Sequence, residues 1–150
     1  MQSFAFQIVV TCPLDLAFAV YTDLDRWRQR TMFGDIQWVK GNPWEEGSRL
    51  RIETTTPLRA TIDQVLQHFV QNEQVGYLSH VLGMTCETRV VFVRISDLRT
   101  EINVEMQLIG KVTRTLGFAL EPIIMKTTKE FFEVLRQDCE AAARDRSANK

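Results

Sequence analysis

Apolar residues recur along this chain at two different periods, and the change of period divides it. Phe4, Phe6, Ile8 and Val10 fall on one parity with Gln7 and Thr11 on the other, which predicts a half-buried strand over Ser3 to Thr11. Cys12-Pro13 stops it, and Pro13 suits the first turn of a helix, where a missing N–H is harmless. Leu14, Phe18 and Tyr21 predict a short helix, and Asp23 to Gln29 a second, with Thr22 or Asp23 as N-cap.

The period of two then returns. A short strand is expected at Ile36 and Trp38, followed by turn chemistry at Gly41-Asn42-Pro43. Gly47 to Thr56 places Leu50, Ile52 and Thr54 opposite Arg49, Arg51 and Glu53. Leu58 to Val70 continues as a strand whose alternation slips near Gln64–Val65, where a bulge is expected. Val75 to Leu82, Met84 to Ile95 and Arg99 to Ile109 complete the run, the last with Ile102, Val104, Met106 and Leu108 on one face.

From Arg114 to Ala143 the period becomes helical. Leu116, Leu120, Ile123, Ile124, Thr127, Phe131, Val134 and Leu135 share one face, and Ser147 onward is expected to fray. Such a helix is roughly 45 Å long, too long for a small domain unless it lies across a sheet. Helices segregated from a run of adjacent strands predict an α+β fold with an antiparallel sheet of about seven strands. A sheet curled around one helix leaves room for a pocket.

Composition narrows the reading. The 150 residues suit one domain, and 45% hydrophobic with 25% charged is ordinary for a globular protein. Eighteen basic and nineteen acidic residues are spread without blocks, which disfavours nucleic acid as a partner. No run approaches the roughly 20 apolar residues that cross a bilayer. Cys12, Cys86 and Cys139 are far apart and odd in number, which predicts reduced thiols in a cytoplasmic protein and no metal centre. A Gly-rich phosphate loop or dinucleotide fingerprint is absent, so no cofactor is expected.

The stretches Ile8–Phe18, Tyr21-Thr22-Asp23-Leu24-Asp25-Arg26-Trp27, Gly47-Ser48-Arg49-Leu50-Arg51 and Phe131–Glu140, in this element order, resemble the START-like (SRPBCC) superfamily, which includes polyketide cyclase/dehydrase-like proteins. The resemblance covers essentially the whole chain. It implies a helix-grip fold, a curved sheet wrapped around the C-terminal helix, with a cavity between them for an apolar or amphipathic small molecule.

On that expectation Leu50, Ile52, Ile62, Val90, Val104, Met106, Leu120, Ile124 and Phe131 form the wall. Thr54, Tyr77, Ser79, Thr88 and Thr127 are the inward polar candidates, since pockets need a few convergent polar groups in an apolar lining. His80 falls on the outward parity and His68 near a strand end, so neither histidine is expected to catalyse. Trp44 is a candidate lid residue, and Pro122 is expected to kink the long helix.

Three functions remain open. The first is binding or transport of a lipid, isoprenoid, quinone or polyketide by a monomer or homodimer. The second is a cyclase or dehydratase in the same cavity, which needs two or more convergent titratable groups; the inward faces offer few. The third is a docking surface for another protein, against which the polar outer faces of the best strands argue.

Overall fold

The structure, a computed structural model, describes residues 2–109 and 114–149; of residues 2 and 114–119 it describes the backbone alone. The elements follow the order β1 (Gln2–Val10), α1 (Leu14–Tyr21), α2 (Leu24–Arg28), β2 (Phe33–Lys40), β3 (Arg49–Thr54), β4 (Ala60–Val70), β5 (Gln74–Val81), β6 (Met84–Ser96), β7 (Arg99–Ile109) and α3 (Arg114–Ala148). One antiparallel sheet has the order β1-β7-β6-β5-β4-β3-β2. The first strand thus forms one edge and the second strand the other. The two short helices carry the chain between those edges, and the curved sheet holds α3 against its concave face.

Local chemistry explains the joints. The Asp23 carboxylate accepts from the Asp25 backbone N–H at 3.1 Å and caps α2. Thr100, fully buried on β7, donates to the Cys12 carbonyl at 2.8 Å and ties the sheet to the corner between β1 and α1. The β5–β6 hairpin turns on Leu82 and Gly83, both at positive φ (50° and 77°). Gly83 suits that conformation; Leu82 does not.

Three details differ from the sequence reading. β2 extends to Phe33, which brings a large aromatic ring to the inner face. The bulge in β4 lies between Leu66 and His68, not at Gln64–Val65. The alternation holds through Gln64; the apparent slip was a polar residue standing on the inner face. The last helix runs on to Ala148, beyond the expected end at Ala143, and in that extension Arg146 reaches Asp15 on α1.

The core is one cluster along the concave face. Phe18, Ile36, Leu50, Ile52, Leu66, Ile102 and Leu135 are its largest fully buried members. An aromatic group continues it: Tyr21 packs against Trp27, Phe92, Phe131 and Phe132, and Phe18 against Phe69 and Phe92. Among the described residues no helix is long and apolar enough to cross a membrane, and no cluster of ligating side chains fits a metal ion.

Candidate functional site

The core is not continuous beneath α3. A cavity of about 230 Å³ lies between the sheet and the residues of α3 from Leu120 to Phe132. Antiparallel register sets its floor in cross-strand rows. Ile52, Ile62, Val81 and Met84 succeed one another from β3 to β6. In the next row stand Gln64, Ser79 and Cys86, then Tyr77, Thr88 and Met106. Leu120, Ile123, Ile124, Thr127, Phe131 and Phe132 form the roof, spaced as one helical face. Tyr21, Trp27, Met32 and Phe33 also line it. Pro57, Leu58 and Leu82 complete the wall, where Leu58 and Leu82 remain 41% and 45% exposed.

Twelve of the fourteen residues expected to form the site line this space: Ile52, Thr54, Ile62, Tyr77, Ser79, Thr88, Val90, Met106, Leu120, Ile124, Thr127 and Phe131. Leu50 and Val104 do not. Both share the concave face but are buried within the packed core, because parity selects a face and says nothing of where along it the helix stands off. The side chain of Leu116 lies outside the described residues. Trp44 is not a lid; its ring packs on Trp27, Trp38 and Phe69, with φ at 59°. His80 points outward and meets the Thr85 hydroxyl at 3.0 Å. His68 is exposed, with its ring over Gly76, where a Cβ would meet it at 3.3 Å.

The polar groups in the wall have separate fates. Thr54 donates to the Leu58 carbonyl at 2.7 Å and accepts from the Ala60 N–H at 3.0 Å, so its hydroxyl braces the β3–β4 loop. Thr128 donates back to the Ile124 carbonyl within its helix at 2.7 Å. The Cys86 thiol is pushed up by burial, which makes it a poor nucleophile. The Gln64 Oε1 is shielded from solvent and lacks a hydrogen-bond partner among the described residues. Tyr21 and Tyr77 meet hydroxyl to hydroxyl at 2.9 Å. Burial pushes both phenols up, well away from ionisation at neutral pH. None of the described lining residues is Asp, Glu, Lys, Arg or His.

Arg30 sits just behind the roof. It is 8% exposed, donates to the Phe131 carbonyl, lies 4.0 Å over the Phe131 ring and reaches Asp138 at 3.8 Å. Burial works against its charge and Asp138 supports it. Arg30 thereby fixes a ring that lines the cavity.

Sequence reasoning missed Tyr21, Trp27, Phe33, Gln64 and Phe132 as wall residues. For Gln64 a signal existed: one polar residue interrupting an apolar parity between Ile62 and Leu66. For Tyr21 none did, because its partner lies on β5 and the contact exists only once α1 crosses the sheet.

This arrangement has counterparts of known structure. The Zhui aromatase/cyclase from Streptomyces sp. R1128 superposes with a TM-score of 0.78 at 10% identity, over 93% of each chain. Ara h 8.0201 gives a TM-score of 0.78 at 11% identity, over 93% of this chain and 98% of that one. A START superfamily protein from Mycobacterium smegmatis gives 0.67 at 13% identity, over 95% and 97%. The chain has the START-like fold. No family model and no curated protein matches the sequence. At these identities the START-like likeness establishes architecture alone.

Proposed function

We propose that this START-like protein binds a compact hydrophobic or amphipathic small molecule in the cavity between sheet and helix. The observation that carries this reading is the cavity itself: a mostly apolar space, open to solvent beside Leu58 and Leu82, with a few polar groups and no charged side chain among its described lining residues. Native interiors are close-packed, and space of this size is lost dispersion contact unless something fills it. Burying the guest's apolar surface supplies about 25 cal/mol per Å² before ordering costs. At about 230 Å³ the space is smaller than the roughly 300–1,000 Å³ of drug-sized pockets. A small isoprenoid, quinone or fused-ring polyketide is therefore a better match than a two-chain lipid.

Native mass spectrometry and solvent extraction of freshly purified protein test the reading. An apolar guest, or saturable uptake of an apolar dye that Thr88→Phe abolishes, is the expected outcome. Repeated absence of both overturns it.

A cyclase or dehydratase in the same space is the second reading, favoured by the convergence of Tyr21 and Tyr77. Burial keeps both protonated, so they can donate to a developing oxyanion but cannot act as a base. The described lining holds no carboxylate or imidazole to complete the pair, which places binding first. Turnover of a poly-ketone substrate that falls with Tyr77→Phe would reverse that order.

A further inference from the structure

The chain contains two tyrosines, and both stand in the cavity wall in contact with each other. Two phenols carry two protons. One lies between the oxygens; the other needs an acceptor, and no other hydrogen bond reaches either oxygen among the described residues. The Tyr21 ring packs against the rings of Trp27, Phe92, Phe131 and Phe132, none of which offers a strong acceptor, and the hydroxyl of Thr88, across the ladder from Tyr77, makes no hydrogen bond to the pair. A buried hydroxyl proton without a partner is unfavourable. We propose that the Tyr21–Tyr77 pair is the polar recognition point of the cavity and that its guest is a neutral molecule presenting a carbonyl oxygen, of ketone, quinone or ester class.

The inference rests on the binding reading above and narrows it. Neutrality follows from the wall: no cation stands among the described lining residues, and Arg30 behind it is already engaged by the Phe131 carbonyl and Asp138, so an ionised carboxylate or phosphate would enter without a cation of its own, and an unpaired buried charge is strongly disfavoured. The acceptor follows from the proton count. A carbonyl oxygen accepts without bringing a further proton to place.

Three probes of one shape separate the possibilities: methyl naphthyl ketone, isopropenylnaphthalene (the same outline with a methylene in place of the oxygen) and naphthoate. Their dissociation constants are measured by displacement of an apolar dye from the wild-type protein and from the Tyr21→Phe/Tyr77→Phe double variant. Single variants leave one hydroxyl free to donate and do not decide. The ketone is expected to gain about tenfold over the alkene in the wild type relative to the double variant, with naphthoate the weakest. A ketone-to-alkene ratio that survives loss of both hydroxyls overturns the inference, and naphthoate binding as tightly as the ketone overturns its neutrality. Should the double variant not fold, the infrared carbonyl stretch of isotope-labelled ketone in the wild type decides. A lowered stretch supports the contact; the frequency found in hydrocarbon overturns it. Failure of the dye and all three probes to enter the wild type would instead sink the binding reading itself.

Discussion

Tyr21, at the end of α1, and Tyr77, in the middle of β5, place their hydroxyl oxygens 2.9 Å apart inside the protein. A phenol in this position is neutral when protonated, and its folded pKa lies above the unfolded value of about 10. The stability it contributes is complete below about pH 10 and is lost as pH rises through the folded pKa. The loss approaches about 1.4 kcal/mol per pH unit for each phenol. Ultraviolet titration should therefore show no tyrosinate from the folded protein near pH 11, and its appearance should coincide with loss of circular dichroism. Tyr21→Phe should roughly halve the alkaline slope. Tyrosinate forming in the intact fold would refute the assignment.

The orphaned Gln64 oxygen makes an opposite kind of prediction. An unsatisfied buried acceptor costs about 1–3 kcal/mol. Gln64→Met, similar in length and apolar, should raise the stability of the guest-free protein by about 1 kcal/mol in denaturant unfolding. A destabilised variant would mean that the amide already has a partner.

Leu82 stands where the hairpin favours asparagine. Its φ of 50° disfavours a branched side chain, yet the side chain lines the exposed end of the cavity. Leu82→Asn should stabilise the fold by up to about 1 kcal/mol and speed dye release severalfold in a stopped-flow chase. A variant with unchanged release would leave Leu82 without a role at the cavity mouth.

Arg30→Met removes the hydrogen bond to the Phe131 carbonyl and the cation over its ring. Loss of about 2–3 kcal/mol is expected, together with weaker dye binding as Phe131 gains freedom. Arg30→Lys should recover less than half, since a point charge cannot stack and fork at once. Equal recovery by lysine would show that charge alone matters.

The succession of strands and helices along the chain, and the long last helix, were legible because alternation and helical spacing record which face is covered. Cavity membership was legible for residues such as Ile62 and Thr88, whose parity pointed inward at the right height. It failed at Leu50 and Val104, which share that parity but lie where the interior closes up. Gln64 looks like a register slip in the sequence because polarity ordinarily marks the outer face, whereas its side chain lines the cavity. The Tyr21–Tyr77 contact had no local trace at all: it depends on how far α1 leans over β5, a tertiary quantity.

Every polar tie that joins α3 to the rest of the described chain falls at Phe131 or beyond: Arg30 at Phe131, Arg30 at Asp138, Thr11 at Glu140 and Asp15 at Arg146. The stretch from Leu120 to Thr128, which roofs the hollow, is seated by apolar contact alone among the described residues. Dispersion contacts slide where hydrogen bonds must break, so this rod is moored by its stern. A swing of the unmoored half would break no tie to the sheet, and the anchorage would stay where it is.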